Sequence, residues 1–495
     1  MEISPALLPP PVLLIDLYQL TMAYGYWKEG LDTREALFHL FFRRNPFQGG
    51  FAVAAGLEAV VRFLTNFRFQ ENDLQYLATL PNSQGSPLFP NSFLDYLATV
   101  RFTGDVDAVP EGNVVFPFEP LLRVRAPLIQ AQLLESSLLN LINFSTLITT
   151  KAARMRLAAG NDVILEFGLR RAQGIDGALT ASRSSYIGGC DATSNVLAGK
   201  IWGIPTKGTH AHSWVMAFDS EEAAFAAYAR HMPSDCVLLV DTFNTIEGVK
   251  KAIEVGKQLR ANGYDLEGVR LDSGDLAYLS IKSRQLLDDA GFAQTKIVAS
   301  NELDESLISE LKRQGACIDV WGIGTHLVTG MHQSALDGVY KLSGLRNKTG
   351  EWEYKLKLSE QMIKISNPGI LQVRRYFAHG EAIADVIYDE GHGIKEPCHL
   401  VDPLDLTKHK ILSGAEGFRD LLEPIFHSGR CVYELPTLQQ IRATVQRQLA
   451  CFAVGVKRFI NPHQYVVGIE KQLSDLKVAL IRTARVTAND LRDIM

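Results

Sequence analysis

The sequence predicts an α/β protein with a parallel sheet in its middle third, and three observations predict it. Between residues 151 and 340, short strand-like runs alternate with helical patterns at the spacing of βα units. Polar and charged residues gather at the C-terminal end of every one of these runs, where barrels and doubly wound sheets keep their chemistry. On both flanks helices and strands mix irregularly. The expected division is residues 1–150 as an N-terminal α/β domain and 151–340 as an α/β barrel. Residues 341–495 form a C-terminal segment that partly packs back on the N-terminal domain.

After a proline-rich start (Pro9 to Pro11), Asp16 opens a helix that runs to Trp27 and closes at Gly30. Ala36–Phe42 is strand-like, and Arg43 to Gly50 is a basic, glycine-ended loop. Helical patterns follow near Gly56–Asn66 and Glu71–Leu80, then a surface loop over 81–92. Glu119–Arg125 reads as a strand and Leu128 to about Ala159 as strongly helical. The middle strands are Val163–Gly168, Ile201–Gly208, Cys236–Asp241, Gly268–Leu271, Lys296–Ala299 and Ile318–Ile323. Helices are expected over Ser220–His231, Ile246–Asn262, Leu276–Ala290 and Glu305–Gln314, with Asp219 to Glu222 spaced as a capping box. Farther on, Glu351–Lys357, Leu371–Phe377 and Ala382–Tyr388 are strand-like, and the tail from Leu438 is helical in two blocks around Asn461-Pro462.

Composition excludes several classes. Fifty basic against fifty-five acidic residues give a net charge of −5, so nothing points to nucleic acid or an anionic membrane surface. The six cysteines include no CxxC pair, which argues for reduced, mostly buried thiols and against zinc or a disulfide framework. No apolar run is long enough to span a bilayer, and the N-terminus lacks the pattern of a signal peptide. A cytoplasmic protein is expected.

Read in order, the strand ends carry Glu166, Arg170 and Arg171; Thr206, His210 and His212; Asp241, Thr242 and Asn244. Next come Arg270, Asp272, Ser273 and Asp275; Ser300, Asn301 and Glu302; and Gly322, Gly324 and Thr325. Asn244 and Asp304 fit helix caps, and Asp275 serves equally well as a cap or as a Mg²⁺ ligand. No P-loop and no credible GxGxxG is present, but the Gly322–Thr325 turn offers backbone N–H groups. With the forks of Arg170, Arg171 and Arg270 it makes a polyphosphate pocket plausible. The His210-Ala-His212 pair admits two readings: a metal site of a barrel hydrolase, or an imidazole that takes a phosphoryl group from ATP. A third reading, a non-enzymatic scaffold, finds little support because every strand end keeps its polar residues.

The motifs also carry a resemblance. Asp16-Leu-Tyr-Gln-Leu-Thr-Met22, Phe41-Phe-Arg-Arg-Asn-Pro-Phe47, Gly168-Leu-Arg-Arg-Ala-Gln-Gly174, Gly188-Gly-Cys-Asp-Ala-Thr-Ser-Asn-Val-Leu-Ala198, Gly208-Thr-His-Ala-His-Ser213, Val269-Arg-Leu-Asp-Ser-Gly-Asp-Leu276 and Gly322-Ile-Gly-Thr325 stand in one order. From about residue 16 to 375 the chain resembles the nicotinate phosphoribosyltransferase family. The resemblance implies an irregular α/β barrel plus a second α/β domain formed from N- and C-terminal segments. The implied enzyme is a homodimer with shared active sites. It implies ATP-dependent transfer of phosphoribosyl from phosphoribosyl pyrophosphate to nicotinate with Mg²⁺. By the same resemblance His212 is the phosphorylated histidine, and Thr209 and Arg270 contact nicotinate. Tyr18 stacks on its ring from the partner subunit. Asp272 contacts the ribose, and Gly322, Gly324 and Thr325 cradle its phosphate. Arg170, Arg171 and Ser273 belong with the phosphoribosyl pyrophosphate side. His210 occupies the motif's variable position, and Asp337 stands where the family has a glycine; the departure matters if that glycine approaches phosphate and is tolerable if it only forms a turn.

Overall fold

The computed structural model describes residues 11–492, in which the chain separates into two units. One unit is Ile148–Ser334; the other takes the segments up to Leu147 and from Ala335 onward. Of the proline-rich start, Pro9 and Pro10 lie outside the described residues.

The Ile148–Ser334 unit holds a six-stranded parallel sheet. Its strands are β1 (Val163–Glu166), β2 (Ala192–Thr193), β3 (Val237–Leu239), β4 (Gly268–Leu271), β5 (Lys296–Asn301) and β6 (Val320–Ile323). Its helices are α1 (Gly174–Gly188), α2 (Val196–Trp202), α3 (His212–Met216), α4 (Glu221–His231), α5 (Thr245–Ala261), α6 (Leu276–Asp289), α7 (Glu305–Arg313) and α8 (Thr325–Val328). The order across the sheet is β2-β1-β6-β5-β4-β3. Each strand therefore lies beside a sequence neighbour, and the first pairs with the last through Val163–Glu166 and Val320–Ile323. Among the described residues no ladder joins β2 to β3, so the hydrogen bonding gives an open sheet where a closed barrel was expected.

That seam is where the sequence predicts a strand over Ile201–Gly208. Helix α2 takes its first two residues, and Gly203, at φ +68°, ends the helix in the left-handed region. Pro205 then has no N–H for a ladder. What survives is one parallel bridge from Thr206 to Thr193: Thr193 N–H donates to the Pro205 carbonyl at 3.0 Å, and Lys207 N–H to the Thr193 carbonyl at 3.1 Å.

Caps fix where the helices begin. Asn244 accepts from Glu247 N–H at 3.0 Å and Asp304 from Leu307 N–H at 2.8 Å, as expected. The start of α4 is capped by Ser220, one residue after the expected Asp219; its hydroxyl accepts from Ala223 N–H at 3.1 Å. Gly248 lets α5 lie directly on the end of β3, since a Cβ there would stand 2.1 Å from the Val240 carbonyl oxygen.

In the other unit, the helix Leu17–Lys28 begins with a capping box between Asp16 and Gln19 and stops before Gly30 at φ +66°. Phe93 is fully buried, with ring centroids 5.2 Å from Tyr24 and 5.6 Å from Trp27, and these aromatics knit that helix to Asn91–Thr99, a helix not anticipated. The strand Glu35–Phe42 pairs with Leu122–Pro127 and with Gly338–Arg346 in a seven-stranded antiparallel sheet. The expected strand at Glu119–Arg125 thus forms slightly later. The helical stretch from Leu128 is two helices, Leu128–Leu133 and Glu135–Ala159. A six-stranded mixed sheet follows, centred on Glu381–Asp389 and Leu371–Ala378, and it includes short strands between 399 and 420 that periodicity did not mark. Asp337 adopts φ +59°, the left-handed conformation that Asp tolerates, just before the strand that begins at Gly338. Its charge faces Arg43. No disulfide joins the six cysteines; Cys190, Cys236 and Cys398 are buried, while Cys431 is exposed.

Candidate active site

Two neighbouring strand ends and the loop before α3 converge on one guanidinium. Arg270, the third residue of β4, donates from Nε to the Ser300 hydroxyl at 2.8 Å. One terminal nitrogen donates to the Thr209 hydroxyl at 2.9 Å and the other to Asp272 Oδ1 at 2.6 Å. Ser300 also donates to Asp272 Oδ1. Parallel strands place these groups together because each contributes its C-terminal residues to the same edge. Burial works against the charge of Asp272, yet the Ser300 hydroxyl, Arg270 and His212 outweigh it and hold the carboxyl below the usual range. The next residue after Ser300, Asn301, holds φ +125°, a backbone conformation that side chains rarely adopt.

His212 is the first residue of α3. Its Nδ1 lies 3.1 Å from the Thr242 hydroxyl, and its Nε2 lies 3.7 Å from Asp272 Oδ2 and 4.0 Å from Asp241 Oδ1. The side chain is 41% exposed, so a ring nitrogen can meet a reagent from solvent. Asp241 is the residue that sequence reasoning named at a strand end but left out of the site. Its Oδ2 accepts from Asp272 N–H at 2.8 Å and from the Ser273 hydroxyl at 2.7 Å. Its Oδ1 is buried without a hydrogen-bond partner. The signal was present: an apolar run, Cys236 to Val240, that ends in a carboxylate.

His210 points the other way. It is 7% exposed, its Nε2 accepts from Leu239 N–H at 3.1 Å, and Nδ1 faces the Ala211 carbonyl at 3.4 Å. Burial pushes its imidazole down to about 4, with the charges of Arg270 and His212 acting the same way against the Ala211 contact. Both nitrogens are committed to backbone, so the two-histidine metal centre of a barrel hydrolase does not form. Among the described residues no group of three or more His, Cys, Asp and Glu is arranged to hold a metal by itself.

The remaining expected residues separate. Asp275 Oδ1 caps α6, accepting from Tyr278 N–H at 3.0 Å. Arg170 and Arg171 sit on a single turn after β1, exposed and without side-chain partners among the described residues. Gly322 lies in β6 beside Phe167, where a Cβ would stand 2.8 Å from the ring; Gly324 and Thr325 lead into α8. Glu166, by contrast, is wholly buried and accepts from Ser182 at 2.9 Å and Thr193 at 2.5 Å, so it braces β1, β2 and α1. Tyr18 lies in the other unit, 46% exposed on its helix beside exposed Leu17 and Met22. Burial, and then Glu135, raise its hydroxyl to about 12.

A parallel sheet whose strand ends combine an arginine, two carboxylates, a reachable imidazole and a glycine turn has the groups of an enzyme that handles anionic small molecules. The comparisons with known proteins narrow that class. Residues 163–355 match the nicotinate phosphoribosyltransferase (NAPRTase) family, residues 13–143 its N-terminal domain and residues 371–477 its C-terminal domain. The nicotinate phosphoribosyltransferase of Bacillus subtilis is 42% identical over 475 residues, covering 95% of each chain. That of Dictyostelium discoideum is 39% identical over 94% of this chain and 87% of its own. The crystal structure of human nicotinic acid phosphoribosyltransferase superposes with a TM-score of 0.82 at 33% identity, covering 94% of this chain and 100% of that one. The chain belongs to the nicotinate phosphoribosyltransferase family.

Proposed function

We propose that this protein transfers the 5-phosphoribosyl group of phosphoribosyl pyrophosphate to nicotinate, yielding nicotinate mononucleotide and pyrophosphate, with ATP hydrolysed alongside. The observation that carries the reading is the shared carboxylate of Asp272, which meets Arg270 through one oxygen and approaches His212 through the other. Arg270 would take the nicotinate carboxylate as a charge-assisted pair, with Thr209 beside it. The neutral amide, nicotinamide, would leave that guanidinium without its counter-charge, which makes Arg270 the discriminating residue.

Transfer breaks the bond between the ribose anomeric carbon and the pyrophosphate oxygen while the pyridine nitrogen attacks, and positive charge develops on the sugar. The carboxylates of Asp272 and Asp241 suit the stabilisation of that charge, and Asp272 suits a ribose hydroxyl. Exposed Arg170 and Arg171 are free to bind the leaving pyrophosphate, and Gly322, Gly324, Thr325 and Ser273 fit the ribose phosphate. In the ATP step an imidazole nitrogen of His212 attacks the terminal phosphorus and ADP leaves; water later cleaves the P–N bond to release phosphate. The added charge beside Asp272 would reorder Arg270 and so couple the two reactions.

Mg²⁺ fits the donor set. Asp241 Oδ1 is a buried carboxylate oxygen lacking a partner, and Asp272 Oδ2 is nearby in the same cluster, whereas Asp275 is engaged as a cap. Mg²⁺ commonly takes one or two carboxylates and completes its shell with phosphate and water. When bound it would supply charge neutralisation for pyrophosphate. The sheet order, circular except at the β2–β3 seam, supports an irregular α/β barrel. The exposed Leu17, Tyr18 and Met22 support a homodimer in which Tyr18 reaches a partner's nicotinate site. No helix among the described residues is long and apolar enough to cross a membrane, and a cytoplasmic place suits the substrates. The reading is tested by chromatography of products from phosphoribosyl pyrophosphate and nicotinate with and without ATP. Mononucleotide formation accelerated by ATP is expected; no product would reject it.

A further inference from the structure

We propose that His210 is a positioning residue whose ring closes the seam of the parallel sheet and thereby fixes the loop that carries Thr209 and His212. In a parallel sheet, alternate residues of an edge strand turn their N–H groups away from the strand they pair with. On β3 that partner is β4, and Val240 N–H donates to the Arg270 carbonyl at 3.2 Å. Leu239 N–H therefore faces the seam. Leu239 is only 1% exposed, and a buried N–H needs an internal acceptor. The acceptor is a side chain: His210 Nε2, at 3.1 Å.

The other side of the seam is held by backbone, through the two bonds between Thr193 of β2 and residues Pro205 and Lys207. The segment from 205 to 210 is thus tied to β2 by its main chain and to β3 by one imidazole. The ring has a defined place. Tyr228 of α4 meets it edge-on at 4.8 Å between centroids, and Phe225 of the same helix lies at 6.4 Å. Because Nε2 accepts, Nδ1 carries the proton and faces the Ala211 carbonyl. One residue before it in the chain, Thr209 receives Arg270; two residues after it, His212 meets Thr242, three residues beyond Leu239. The anchor therefore sits between the two functional contacts of the loop, one to β4 and one just beyond the end of β3. Burial keeps the imidazole neutral at ordinary pH, which preserves the lone pair that the contact needs.

The test pairs His210→Phe, which keeps an aromatic ring but has no acceptor, with His210→Gln, whose carbonyl oxygen can stand near the place of Nε2. Amide hydrogen exchange over residues 204–216 and 236–242 is measured by mass spectrometry, beside nicotinate KM, phosphoribosyl pyrophosphate KM and ATP stimulation. His210→Phe is expected to speed exchange in both segments at least tenfold, to raise nicotinate KM more than phosphoribosyl pyrophosphate KM, and to lose ATP stimulation. His210→Gln is expected to restore each within about threefold. Wild-type exchange and stimulation in His210→Phe would overturn the proposal. Should His210→Phe fail to fold, His210→Asn replaces it, since Asn is too short to reach Leu239 from the same backbone; equal exchange in the Asn and Gln variants would overturn the proposal. The activity readouts rest on His212 being the phosphorylated residue. If His212→Ala kept full ATP stimulation that assignment would fall, while the exchange comparison would still decide the role of His210.

Discussion

Asp272 divides its carboxylate between Arg270 and His212: Oδ1 accepts an N–H from the guanidinium at 2.6 Å, and Oδ2 lies 3.7 Å from the imidazole Nε2. One side chain thus stands between the group suited to an anionic ring and the group suited to a phosphoryl transfer. A change of charge at His212 is felt at Arg270 through a single residue, in a site sheltered enough for the interaction to matter.

Arg270→Ala should raise nicotinate KM at least tenfold while changing phosphoribosyl pyrophosphate KM far less. A charge-assisted bidentate contact contributes on the order of 1.5–3 kcal/mol, which corresponds to that range. Steady-state kinetics with each substrate varied in turn makes the comparison. Equal effects on both constants would remove Arg270 from the acceptor pocket.

His212→Ala should abolish ATP stimulation and leave slow basal transfer, because in the proposed reaction the imidazole serves the coupling and does not touch the bond that breaks on the sugar. Incubation with γ-labelled ATP should label the wild-type chain and leave this variant unlabelled. Label retained in His212→Ala would move the phosphoryl acceptor elsewhere.

The neutral state of His210 gives stability a pH dependence of known sign. Its imidazole is held at about 4 against an ordinary 6.5, so between these values the unfolded chain binds a proton that the folded chain does not. The contribution is complete above the ordinary value and is lost as pH falls toward the lowered one, amounting to about 2 kcal/mol by pH 5. The groups facing the ring are Arg270 and His212, with Tyr228 from α4. Urea midpoints at pH 7.5 and pH 5 should therefore differ more in the wild-type protein than in His210→Gln. Matching differences would show that the ring titrates normally.

Gly248→Ala should destabilise the Ile148–Ser334 unit. Alanine favours a helix over glycine by about 1 kcal/mol. The added Cβ, however, would stand 2.1 Å from the Val240 carbonyl oxygen, and overpacking against a fixed backbone costs about 1–3 kcal/mol. The displaced strand end carries Asp241, so activity should fall with the melting temperature. A higher melting temperature would show that α5 can move away freely.

Much of the Ile148–Ser334 unit was legible because buried parallel strands and amphipathic helices leave strong, separable patterns. The runs at Val163, Cys236, Gly268, Lys296 and Ile318 each formed a strand, and the motif residues Thr209, Arg270, Asp272 and His212 came together at one edge. The run at Ile201 misled for a local reason: its β-branched residues suit a strand, but Gly203 and Pro205 remove the conformation and the donor that a ladder needs. The sequence offers His210 as a ligand because it shows an imidazole but not its partner, and Leu239 lies 29 residues away. The short strands His399–Val401, His409–Ile411 and Gly417–Asp420 left no clear periodicity; two of them are largely exposed.

The most direct measurement is product formation from phosphoribosyl pyrophosphate with nicotinate or with nicotinamide, each with and without ATP. The geometry around Arg270 predicts mononucleotide from nicotinate, accelerated by ATP, and little or none from nicotinamide. Equal turnover of the two rings would contradict the assignment of Arg270, and no product from either would contradict the proposed reaction itself.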